Sequence, residues 1–97
     1  MKITIRNKAR LPNKILRLLK WKIYSVKRKF NDLLYAEVFI DSEGQSPKVY
    51  SIKTRLGIPG QDIIIRNQSK ELPKMIRKTV SSYHRYLAEN SNQKSNK

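Results

Sequence analysis

Side chains able to perform covalent chemistry are scarce in this chain of 97 residues, and side chains able to hold phosphate are abundant. There is no cysteine, so thiolate nucleophiles, disulfides and thiolate metal sites are excluded. His84 is the single histidine and has no serine or cysteine partner at a recognisable spacing, so it reads as a surface histidine. Asp32, Glu37, Asp41, Glu43 and Asp62 fall in turns or strands with no motif that pairs them for acid–base work. Three glycines are too few and too scattered for a phosphate-cradling loop. The expectation is a non-enzyme with no metal and no cofactor. The cations tell a different story. Lys14, Arg17, Lys20, Lys22, Arg28 and Lys29 recur through one segment with Trp21 and Tyr24 among them, and Lys74, Arg77, Lys78 and Arg85 recur near the end. Cations at such intervals suit a row of phosphates, and an aromatic among them can stack on an unpaired base.

The charge is unevenly placed. The chain carries 22 lysines and arginines against 7 acids, a net charge of +15. Eleven of the cations, and no acid, lie in the first thirty residues. Residues 31–60 are close to neutral, and residues 61–97 are basic again. A solvated helical face ordinarily mixes both signs, so the acid-free stretch points to a polyanionic partner, most directly nucleic acid. No apolar run approaches the ~18 residues of a membrane span. The opening has no uninterrupted apolar stretch of signal-peptide type, so the expected setting is cytoplasmic and away from membranes.

Length allows one domain with one modest core. Apolar spacing then orders the elements. Ile3 and Ile5 alternate with polar neighbours, the period of a strand. Pro12-Asn13 suits a helix start with Asn13 as cap. From Lys14 to Phe30, Ile15, Leu18, Leu19, Ile23, Val26 and Phe30 share one helical sector. Arg17, Lys20, Trp21, Tyr24, Lys27 and Arg28 fall on the opposite half, with Lys22 and Lys29 at the edge. Leu34 to Ile40 alternates as a second strand, residues 41–47 read as a turn, and Lys48 to Leu56 alternates as a third strand. Gly57-Ile58-Pro59-Gly60 is a turn, and Asp62 to Arg66 a fourth strand. Ser69 is a candidate cap for a last helix built on Leu72, Ile76, Val80, Tyr83 and Leu87. Residues 1–89 form the domain, and residues 90–97, which have no apolar group, read as a disordered polar tail.

The predicted order is β-α-β-β-β-α, an α+β fold. A four-stranded sheet has one face to offer two amphipathic helices, so both pack on that face. Their polar halves then present one basic surface containing Arg17, Lys20, Arg28, Lys74, Arg77, Lys78 and Arg85. The other sheet face keeps Lys53, Arg55 and similar polar groups. Two roles are open to Trp21: stacking on a base, or folding over the last helix.

With the elements placed, the chain from Met1 to about Glu89 resembles the short form of the ribosome hibernation-promoting factor family. The resemblance lies in the opening M-K-I-T-I-R, the strand Tyr35-Ala36-Glu37-Val38-Phe39-Ile40 after a basic helix, and the Pro59-Gly60 hairpin. It also lies in the spacing of Leu72, Ile76, Val80, Tyr83, Arg85 and Leu87. The resemblance implies a fold like double-stranded-RNA-binding domains and attachment to the small ribosomal subunit between head and body. There the protein would occlude the messenger and transfer RNA sites and inhibit translation in idle or stationary-phase cells. Lys22 and Arg85 fall where the family carries ribosome-contacting cations. Ser25, Ser82 and Glu89 fall where other members have lysine or arginine, and Trp21, Arg28, Lys74, Arg77 and Lys78 can supply that charge here. The chain ends before the extra dimerisation domain of the long forms, so on the resemblance it should not pair ribosomes through its own tail, and a monomer is expected. The rival expectations are a constitutive ribosomal structural protein and a free double-stranded-RNA-binding module.

Overall fold

The structure, a computed structural model, describes residues 1–90. The elements are β1 (Lys2–Asn7), α1 (Asn13–Lys29), β2 (Tyr35–Glu43), β3 (Val49–Ile58), β4 (Gln61–Ser69) and α2 (Leu72–Asn90). This is the expected β-α-β-β-β-α order. The four strands form one sheet in the order β1-β2-β3-β4. β1 runs parallel to β2 because a helix returns the chain between them, whereas the β2–β3 and β3–β4 hairpins are antiparallel.

The alternation within each strand sorts the sheet into two faces. Ile3, Ala36, Leu56 and Ile63 pair across one row, and Ile5, Val38, Thr54 and Ile65 across the next. These side chains face the helices. Leu19, Ile23 and Val26 of α1 and Met75, Tyr83 and Leu87 of α2 are buried against them. Each such aliphatic side chain contributes on the order of 1.5–3 kcal/mol by leaving water. The opposite face is not covered by either helix.

Several boundaries differ from the expectation. Asn13 is the first residue of α1 and not its cap. Pro12 is the cap, with φ −60° and ψ 150° and no side-chain hydrogen bond, and its carbonyl accepts from Ile15 and Leu16 N–H at 3.0 and 3.3 Å. The ring fixes φ near the needed value without help from a side chain. Ser69 ends β4 instead of starting α2. Its hydroxyl accepts from Glu71 N–H at 3.1 Å, and the helix begins at Leu72. β2 and β3 extend each other beyond the alternating cores, with Glu43 opposite Val49, so the turn shrinks to residues 44–48. Gly57 and Ile58 belong to β3, leaving Pro59-Gly60 as a two-residue turn with Gly60 at φ +87°. Proline followed by a glycine at positive φ is the type II pattern. Leu18, in the apolar sector of α1 by spacing, is 40% exposed, and Leu34, read as the start of the second strand, precedes β2 and is 52% exposed. Asn90 closes α2, donating to the Tyr86 carbonyl at 2.8 Å, and the rest of the expected tail lies outside the described residues.

The loop that aims α1 is pinned at both ends. The Asn7 amide donates to Leu11 O and accepts from Leu11 N–H, both at 3.0 Å, while Arg10 takes φ +58°. Ala9 and Leu11 are thereby drawn into the core.

Candidate nucleic-acid interface

Burial of Leu19, Ile23 and Val26 fixes the rotation of α1. At 3.6 residues per turn, Arg17, Trp21, Tyr24 and Arg28 must lie on the side away from the sheet. All four are exposed, Trp21 by 62% and Tyr24 by 50%. Trp21 therefore does not fold over α2, and its ring is free to stack. Ser25 Oγ donates to the Trp21 carbonyl at 3.2 Å and accepts from Arg28 Nη2 at 3.1 Å, which lays the guanidinium along the same face. Lys14 and Lys20 are exposed on this helix, and Lys22 is half-buried at its flank, as its edge position required. No acid stands in the first turn of α1, and Lys27, Arg28 and Lys29 occupy the last. Those cations complement the helix dipole. Lys27 is consumed by this end: its ammonium donates to the carbonyls of Asn31 and Leu33 at 2.5 and 2.9 Å.

The cations divide between the two sides of the helical layer. Arg17 and Lys20 border a groove between α1 and β1, with Ile3, Ile5, Asn13 and Leu16 as its other walls. Lys74, Arg77, Lys78 and Arg85 come together around a second groove on α2, floored by Asn67, Ser81 and Ser82. Lys78 Nζ donates to Gln68 O at 3.4 Å, tying this groove to β4. Ser82 is buried and donates to the Lys78 carbonyl at 2.9 Å. That explains a small hydroxyl residue at this position. Arg85 lies over the Tyr86 ring at 5.1 Å.

Lys29 is exposed at the end of α1, near enough to α2 for its charge to act on His84. His84 of α2 is half-buried, its ring 6.1 Å from that of Phe30. Burial, and then the charge of Lys29, hold its imidazole below the ordinary histidine range.

Sequence spacing on the helices could not point to the residues of the open sheet face. Its rows are Lys2, Tyr35, Gly57 and Asp62, then Thr4, Glu37, Arg55 and Ile64, then Arg6, Phe39, Lys53 and Arg66. The signal available was the polar alternation of the strands, which becomes a surface only when register is known. In the middle row Arg55 donates to Glu37 at 2.7 and 2.9 Å and stands 3.8 Å from Asp62. Glu37 raises the Arg55 pKa further through that hydrogen bond. Tyr35 donates to Asp62 at 2.5 Å, and that bond raises its phenol pKa. Among the described residues, no group of three or more histidines, cysteines and acids gathers to hold a metal ion. Among them, too, no helix is long and apolar enough to cross a membrane.

No family model and no curated protein matches this sequence. Solved structures do match its fold. A ribosomal subunit interface protein from Coxiella burnetii superposes with a TM-score of 0.78 at 12% identity, covering 92% of this chain and 96% of that one. The N-terminal domain of Thermus thermophilus Protein Y superposes with a TM-score of 0.59 at 15% identity, covering 88% of this chain and 94% of its own. At those identities the shared property is the architecture, and the chain has the β-α-β-β-β-α fold that its sequence resemblance implied.

Proposed function

We propose that this protein binds the small ribosomal subunit through ribosomal RNA, near the decoding channel, and inhibits translation by occluding the messenger and transfer RNA sites in idle or stationary-phase cells. The observation that carries the reading is the outer face of α1. Trp21 stands 62% exposed between Arg17 and Arg28 on a helix that contains no acid. Such a face offers cations to phosphates and an indole to an unpaired base. The fold supports the same reading, because one of its solved neighbours is a ribosomal subunit interface protein. The mechanism needs no bond making: a domain of this size, held by charge, excludes other ligands from the channel. The protein acts as a monomer.

Co-sedimentation tests this. Purified protein is run with vacant ribosomes and isolated subunits on sucrose gradients at low and high salt, with and without messenger RNA and initiator transfer RNA. Salt-sensitive binding to the small subunit that the two RNAs displace is the expected result. Binding indifferent to both RNAs would place the protein elsewhere on the ribosome, as a structural component, and no ribosome binding would overturn the reading.

A further inference from the structure

The cationic groove of α2 does not stop at the helix. Lys78 and Asn67 also line a second depression, whose other walls include Lys53 and Arg66 on the far side of the β4 edge. Lys53 in turn stands 5.9 Å from the Phe39 ring centroid. Phe39 and Arg6 line a third depression with Thr4, Glu37 and Arg55. A path therefore runs from α2 around the sheet edge and along the row Arg66, Lys53, Phe39 and Arg6.

We propose that this path on the open sheet face is a second nucleic-acid site, one that takes a single unpaired strand. Three observations favour that occupant. First, the row is free of acid across all four strands, a span of about 14 Å at ordinary strand spacing. The acids of the nearby rows are mostly engaged: Glu37 and Asp62 are held by Arg55 and Tyr35. Asp62 stands two rows away, and Asp41, in the adjoining row on the other side, is opposite Ser51 with one carboxylate oxygen accepting from Ser42 N–H. Arg6, Lys53 and Arg66 are thus left to a polyanion. Second, Phe39 sits inside the row and is 36% exposed, flanked by Arg6 and Lys53 on the neighbouring strands. An exposed aromatic ring between cations matches a base between its phosphates, whereas an acidic peptide has nothing to place on it. Third, a twisted sheet face is too shallow to grip a duplex in a groove, but an extended strand can lie across it. The sheet-face residues Arg6, Phe39, Lys53 and Arg66 stand apart from those assigned to ribosome attachment on α1 and α2.

Fluorescence anisotropy of labelled decauridylate reads the site without ribosomes. The proteins compared are the wild-type chain, Phe39→Ala, Phe39→Tyr, and the triple variant Arg6→Gln, Lys53→Gln, Arg66→Gln, each checked for fold by circular dichroism and thermal melting. Wild type is expected to bind decauridylate and to prefer it over a ten-base-pair duplex. Phe39→Ala should weaken binding about tenfold, within the range of one lost base stack, and Phe39→Tyr should preserve it. The triple variant should reduce the slope of log affinity against log salt by roughly two, from three lost contacts on a single strand. Folded variants that match wild type in affinity and slope would overturn the proposal, as would decaglutamate competing as well as decauridylate. Because no ribosome is present, such a failure would leave the attachment through α1 standing. Loss of ribosome binding would in turn leave this site untouched.

Discussion

Thr54 Oγ1 and Tyr83 OH lie 2.6 Å apart with both residues fully buried, and this hydrogen bond joins β3 to α2 through the middle of the core. Burial pushes the Tyr83 phenol far above its ordinary range, so it remains protonated and able to donate. The bond ties the sheet to α2, the helix that carries Lys74, Arg77, Lys78 and Arg85.

Removing one partner of that pair should cost more than removing both. Tyr83→Phe leaves a buried Thr54 hydroxyl without its partner and should lower unfolding free energy by about 1–3 kcal/mol. Adding Thr54→Val should recover part of the loss. Urea denaturation of the two single variants and the double variant checks this, and strictly additive losses would show that the hydrogen bond is not the coupling.

Thr79 presents the opposite case. Its hydroxyl is buried on α2 with no hydrogen-bond partner among the described residues. Thr79→Val keeps the shape and removes the cost of an unmatched polar group, so it should raise stability by about 1 kcal/mol. A denaturation midpoint lower than that of wild type would contradict this.

Gly57 is required by its cross-strand neighbour. A Cβ at this position would meet Tyr35 Cε2 at 2.1 Å, because the Tyr35 ring crosses the glycine on its way to Asp62. Gly57→Ala should destabilise by about 1–3 kcal/mol through forced displacement of the ring. Tyr35→Ser in the same chain should relieve most of that loss, which thermal melts of the single and double variants would show.

His84 makes stability depend on pH. Its folded pKa is depressed, so the unfolded chain binds the proton more readily. The contribution of this group is complete above the ordinary histidine pKa of about 6.5 and is lost as pH falls through that value toward the folded pKa. Melting temperature of wild type should therefore fall more steeply between about pH 7 and 5 than that of His84→Gln. Parallel profiles would remove His84 as the cause.

Charge reversal on α1 addresses the proposed attachment. Arg17→Glu with Arg28→Glu places two acids beside Trp21 on an exposed face, so the fold should survive while small-subunit binding is abolished. Unchanged sedimentation with ribosomes would exclude this face as the contact.

Much of this architecture was readable from spacing alone. The change from alternation at Ile3 and Ile5 to the helical step of Leu19, Ile23 and Val26, and back to alternation at Ala36, Val38 and Ile40, sets the order of elements. Each element must bury its apolar face, and one sheet face accommodates both helices. The same periodicity assigned Arg17, Trp21 and Arg28 to the outer side of α1, since a helix that buries one sector exposes the other. Strand and helix ends were less legible. Backbone pairing of Glu43 with Val49 and of Tyr50 with Ser69 extends the strands through polar residues that carry no pattern. Only the tertiary structure decided that Trp21 is free of α2, that Lys74, Arg77, Lys78 and Arg85 share one groove, and that Arg6, Phe39, Lys53 and Arg66 align. Arg6, Phe39, Lys53 and Arg66 come from four different strands, so their alignment depends on strand register, and the surroundings of Trp21 and of the α2 cations depend on helix rotation. Both are set by the packing of the whole core rather than by any local segment.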